Sequence, residues 1–298
     1  INRNEKIKLK VVFYDSKSIP KEGLNAYHKM KFDGIKYAYV SLDPVIKTIA
    51  PLLEKDGILV FAGSVDNEIV EMSSNIFRLY YGFKDETEKE FEILKNGNIK
   101  SISMLLRDVP VIRKYKEERL GSKLKENGII IKGIHLYSPE EKDFKNLVAK
   151  IASENPDAIL ISEYGDKFPI IFSELANYKL SPKMILCGLG FLNVQGDKSL
   201  YKGVIYTAPE GLYKETSFKL KFMNRFHKEP TYESYYSFDS VNLLYTAIKN
   251  TNGSLDRVKE YILNNTFTGV SQSKIIFDKN RDLKTSVSIK KVGDNNGF

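Results

Sequence analysis

The stretch Ala62-Gly63-Ser64-Val65-Asp66 places a hydroxyl and a carboxylate two residues apart, directly after the apolar run 58–62. In open α/β sheets, ligands sit beyond the carboxyl ends of strands, where free backbone N–H groups meet anionic groups. The same residues also suit a plain strand-to-helix turn capped by Ser64 or Asp66, and the local sequence leaves both readings open. Other chemistry is sparse. No GxGxxG, Walker-type loop, HExxH or GxSxG occurs. His28, His135 and His227 stand far apart, with no local acid or nucleophile to frame them. Cys187, the single cysteine, ends the apolar run Met184-Ile185-Leu186-Cys187 and reads as a small buried hydrophobe. The pairs Asp85-Glu86, Glu117-Glu118 and Glu140-Glu141 are expected at helix starts or on solvated faces. No catalytic residue, metal ligand set or cofactor is assigned.

The elements that would position that loop alternate regularly. Residues 7–14, IKLKVVFY, predict a strand, 20–30 a helix and 37–40 a short strand. In 44–56, Val45, Ile49, Leu52 and Leu53 share one helical face, and Gly57 ends the helix before the apolar strand 58–62. The pattern resumes with a helix at 84–95, a strand at 101–106 and a helix at about 112–127. A strand over GIIIKGIHLY, a helix at 140–154, a strand at 157–162, a helix at 167–178 and a strand at 183–188 follow. Strands apolar on both faces and separated by helices require parallel sheets covered on both sides. Helices are then expected near 232–250 and 254–264. The strands 273–278 and 286–292, parted by Lys279-Asn280-Arg281-Asp282, have the composition of a hairpin.

A chain of 298 residues exceeds what one hydrophobic core usually organises, so two lobes are expected. Hydrophobic residues at 42% and charged residues at 28% describe a folded globular protein. The formal charge of +8 comes from 38 lysines and only eight arginines. A scattered lysine excess without an arginine-rich stripe argues against a nucleic-acid partner, and no polybasic cluster or amphipathic helix points to a membrane surface. No apolar run is long enough to span a bilayer. With Ile1 first, the sequence reads as a processed or trimmed product whose export signal has been removed.

Six segments, in this order, resemble the type I periplasmic solute-binding proteins of branched-chain amino-acid ABC importers, the Leu/Ile/Val-binding family. They are APLLEKDGILVFAGS at 50–64, Asn75-Ile76-Phe77-Arg78, PDAILISEYG at 156–165, GVIYTAP at 203–209, FDSVNLLYTAIKN at 238–250 and FTGVSQSKIIFD at 267–278. The resemblance covers nearly the whole chain. It implies two doubly wound parallel-sheet α/β lobes, joined by a three-strand hinge, with a ligand cleft between them. Lobe one would take 1–79 and 207–267, and lobe two 80–206 and 268–298.

By position, the resemblance assigns ligand contacts to Asp43, Gly63, Ser64, Val65 and Asp66 in lobe one. In lobe two it assigns them to Val111, Ile112, Tyr164 and Leu189. It implies an exported monomer, periplasmic or lipid-anchored, that captures a small molecule and delivers it to a membrane permease without catalysis. A ligand-sensing module on the same fold is the alternative. Three departures shape the expectation. Leu189 stands where the family carries an acid for the ligand ammonium, and Val111 or Ile112 where it often has tyrosine. Asp66 replaces a hydroxyl residue and would repel a carboxylate unless the ligand brings a cation. The expected ligand is therefore more apolar or differently charged than a branched-chain amino acid. The family's opening strand and helix have no counterpart here, so lobe one is expected to lack a central strand.

Overall fold

Pro20 fixes the first turn of α1 (Pro20–Phe32), whose Tyr27 and Met30 point inward. β1 (Tyr37–Ser41) follows, and then α2 (Asp43–Asp56) buries Val45, Ile46, Ile49, Ala50 and Leu53 along one face. Gly57 closes that helix at φ 61°, a left-handed conformation that glycine adopts without a Cβ penalty. β2 (Leu59–Gly63) is buried throughout, and β3 (Ile76–Arg78) completes a parallel sheet in the order β1-β2-β3. The computed structural model describes residues 8–194, 199–213 and 216–293.

One face of this sheet closes over Tyr27, Met30, Ile46, Ile49, Leu53, Ile69 and Val70, together with Val60, Ala62 and Ile76. On the other, Phe61 and Phe77 pack against Phe277 with ring centroids 5.4–6.1 Å apart. Each such side chain contributes roughly 1.5–3 kcal/mol on full burial, and a strand covered on both faces explains the unbroken run LVFA.

A second sheet is built from β4 (Ser101–Arg107), β5 (Ile130–Tyr137), β6 (Ala158–Ser162), β7 (Met184–Cys187), β8 (Ile205–Pro209) and β9 (Val287–Lys291), in the order β5-β4-β6-β7-β8-β9. The β5-β4-β6-β7-β8 pairings are parallel. Its helices are α3 (Phe83–Asn96), α4 (Pro110–Ile112), α5 (Gly121–Glu126), α6 (Lys145–Glu154) and α7 (Phe168–Asn177), with a π-helical stretch, Arg113–Leu120, between α4 and α5. Behind β8 come α8 (Ser217–Phe226), α9 (Tyr232–Thr251) and α10 (Leu255–Asn264).

By internal packing the chain forms two units, Ile1–Gly82 with Pro209–Ser286 and Phe83–Ala208 with Val287–Phe298. The chain therefore passes from one to the other three times. Residues 268–286, which the resemblance assigns to lobe two, pack with the first unit. There Phe277 meets Phe61 and Phe77, and Asp282 pairs with Arg78.

Two sequence expectations are corrected. Of the strand expected at 7–14, Ile7 lies outside the described residues and 8–14 form no strand. Phe13 is 91% exposed. The closing hairpin forms only in short form: Phe277 bridges Leu283 antiparallel, flanked by Asp278 N–H to the Asp282 carbonyl at 2.8 Å and Lys284 N–H to the Ile276 carbonyl at 3.0 Å, while 287–291 pair not with 273–278 but with β8 at the edge of the second sheet. The intervening turn does form, with Arg281 N–H donating to the Asp278 carbonyl at 2.9 Å.

Candidate functional site

In the first unit, β2 ends at Gly63, and a Cβ there would lie 2.4 Å from the Tyr39 hydroxyl oxygen. Ser64 follows, buried, and donates its hydroxyl to Asp43 at the start of α2. Asp66 N–H donates back to Ser64 Oγ at 3.0 Å. Burial pushes the Asp43 carboxyl above the usual range, against the opposing hydrogen bond from Ser64. The structure thus gathers Asp43, Gly63, Ser64 and Asp66, with half-buried Val65 between the last two.

The charge on Asp66 is answered locally, which the sequence does not disclose. Its Oδ1 accepts the Glu68 N–H at 3.2 Å, capping the 3-10 turn Asn67–Met72, and its Oδ2 pairs with Lys47 at 3.3 Å. The repulsion expected toward a bound carboxylate is reduced accordingly. Arg78 Nη1 donates to the Ser64 carbonyl at 3.3 Å and so holds the loop from beneath. Of the two readings the local sequence leaves open, the cap is formed, by Asp66 on the turn Asn67–Met72.

In the second unit, Tyr164 is 38% exposed, whereas Leu189 is buried and Ile112 fully so. Of the Val111-Ile112 pair, only Val111 keeps exposed surface. The Tyr164 and Leu189 loops touch. Asn193 Nδ2 donates to the Tyr164 carbonyl at 2.8 Å, and a Cβ on Gly190 would fall 1.6 Å from the Glu163 carbonyl oxygen. Glu86 anchors the same turn by accepting the Leu189 N–H at 2.7 Å and the Thr207 hydroxyl at 2.7 Å. Glu86 lies in the first turn of α3, as expected of a helix start, but it does not face water. It is instead fully buried and ion-paired to Lys116 at 2.6 Å, and Lys116 also pairs with Glu90 at 2.6 Å.

The resemblance gives the loop Arg107–Ile112 as a second-lobe contact, while sequence reading passed over Tyr137, Glu163 and Asp166. Arg107, at the end of β4, pairs with Glu163 at 3.0 Å and Asp166 at 3.2 Å, and Tyr137 at the end of β5 donates to Glu163 at 2.5 Å. Burial, and after it the Asp166 carboxyl, raises the pKa of Glu163, while hydrogen bonds from Glu163 and then Lys167 hold Asp166 down at about 2. Burial opposes the Arg107 charge, but Glu163 and Asp166 outweigh it. The available signal was positional, since each of Arg107, Tyr137 and Glu163 stands at or just beyond the carboxyl end of a parallel strand. Among the described residues no cluster of His, Cys, Asp or Glu could hold a metal ion, and no helix is long and apolar enough to cross a membrane.

The family profile "Periplasmic binding protein" matches residues 1–292. The chain belongs to that family. Among curated proteins, none matches it significantly. Solved structures do. A leucine binding protein from Thermotoga maritima is 18% identical, with 96% of this chain and 85% of that chain covered, at a TM-score of 0.82. An ABC-transporter solute binding protein from Rhodopseudomonas palustris, in complex with 3,4-dihydroxy benzoic acid, is 17% identical over 95% of this chain and 82% of that one, at a TM-score of 0.82. An extracellular ligand binding receptor from Desulfohalobium retbaense is 18% identical over 95% of this chain but 52% of its own, at a TM-score of 0.76. At these identities the likeness establishes the type I periplasmic binding fold.

Proposed function

We propose that this protein captures a small solute outside the cytoplasm and delivers it, as a monomer and without chemical conversion, to the membrane permease of an ABC importer. The observation that carries the reading is the family match over residues 1–292. The loop clusters support it, because Ser64 with Asp43 and Tyr164 with Arg107 and Glu163 stand at the carboxyl ends of strands, where such folds bind ligands. The solute differs from a branched-chain amino acid, since buried Leu189 offers no charge partner for an ammonium group.

Likeness to the Desulfohalobium receptor favours a second reading, in which the same capture reports to a sensory partner. A thermal-shift screen of amino acids, amides, aromatic acids and purines tests capture itself. A solute at a hundred times its dissociation constant stabilises the native state by about 2.7 kcal/mol. One responding class is expected, and a flat response across all four would contradict the reading.

A further inference from the structure

Glu163 and Arg107 differ in what they leave open. The Glu163 side chain is fully buried, with one oxygen toward Arg107 and the other toward the Tyr137 hydroxyl. Arg107 keeps 17% of its side-chain surface exposed. Both of its ion pairs use the one group Nη1, and its buried Nε–H has no hydrogen-bond partner among the described residues. A guanidinium carries five N–H donors in a rigid fork that matches a carboxylate in two-point fashion, so most of its donor capacity is unspent here. Its carbon lies 5.2 Å from the centroid of the exposed Tyr164 ring, which flattens one side of the fork and leaves an aromatic surface beside it.

The charges around it balance. Asp166 is shared with Lys167 at 3.0 Å, so two cations face two carboxyl groups. Burial raises the pKa of one of those carboxyls, Glu163, whose two oxygens are already engaged by Arg107 and Tyr137. Of the two acids here, Glu163 is sealed and Asp166, 60% exposed, is already paired with Arg107 and Lys167, so an ammonium group meets no unpaired acid.

Resting on the solute-binding reading, we propose that Arg107 is the specificity-determining contact of the second unit. Its unspent N–H donors take the carboxylate of an amine-free organic acid whose ring or chain lies against Tyr164. Glu163 and Tyr137 are positioning residues that hold the fork in place.

Isothermal titration with benzoate, 3,4-dihydroxybenzoate and phenylacetate, each beside its neutral amide and with leucine as the amine-bearing comparison, tests this on the unmodified protein. At least one acid binds, and its amide binds about tenfold more weakly or worse, as expected for losing a charged hydrogen bond. The double variant Arg107→Gln/Glu163→Gln removes one charge of each sign, and its thermal melt reports folding. It loses a similar factor for the acid and little for the amide. Equal binding of acid and amide, undiminished acid binding by the folded double variant, or tighter binding of leucine than of any acid would each overturn the assignment while leaving solute capture intact. If no acid, amide or leucine binds, the assignment falls, while solute capture stands or falls on the four-class thermal-shift screen.

Discussion

Arg78 and Asp282 lie 204 residues apart in sequence and form an ion pair inside the first unit, with the Arg78 side chain fully buried. The same guanidinium donates to the carbonyls of Tyr80 at 2.6 Å, Ser64 at 3.3 Å and Leu283 at 3.3 Å. One side chain thereby ties the end of β3 and the Ser64 loop to the closing segment.

Removing it strands a mostly buried carboxylate and three carbonyls. Arg78→Met is expected to cost about 3–5 kcal/mol in urea unfolding, the range for breaking one partner of a buried pair. Asp282→Asn keeps a hydrogen-bonding oxygen and costs less. A loss under about 1 kcal/mol for Arg78→Met would show that the network is redundant.

The parallel strands were legible because β2, β4 and β6 are nearly unbroken apolar runs, which only a sheet covered on both faces accommodates. Phe13 was not legible in the same way, because strand propensity cannot say whether a partner lies alongside. The π-helical stretch Arg113–Leu120 escaped a 3.6-residue reading. It places Lys116 in the interior, where no sequence pattern marks a lysine. At the site, Ser64 could be read from its place after β2. The pairing of Asp66 with Lys47 depends on how α2 packs, which no local pattern encodes.

Glu90 predicts a pH dependence. Burial, and after it Glu86, pushes its pKa up to about 7 against the opposing charge and hydrogen bond of Lys116, from an unfolded value of about 4.3. Between these values the native state holds a proton that the unfolded state has lost. The Glu90 contribution is therefore fully present below the unfolded value and is lost as pH rises through about 7. Glu90→Gln removes that slope, so urea unfolding from about pH 5 to pH 8 should favour the variant increasingly toward the alkaline end. Parallel stability curves would contradict the assignment.

Gly190 predicts a steric dependence. Because a Cβ would sit 1.6 Å from the Glu163 carbonyl oxygen, Gly190→Ala must displace either the Leu189–Asn193 turn or the Tyr164 loop. A loss of about 3 kcal/mol is expected, the upper end for overpacking. Wild-type stability in this variant would mean that the two loops yield freely.

Ser64 links the first-unit cluster to function. Ser64→Ala removes the hydroxyl that meets Asp43 and accepts from Asp66, and solute affinity should fall about tenfold by calorimetry, the scale of one hydrogen bond. Unchanged affinity would remove this loop from the binding site.

Solute capture itself is most directly tested by native mass spectrometry of the intact chain, equilibrated with the mixed solute panel and sprayed from non-denaturing buffer. The expected spectrum shows one added small-molecule mass per monomer, retained at micromolar solute and lost on unfolding. A folded chain that carries no added mass even at millimolar solute would contradict it.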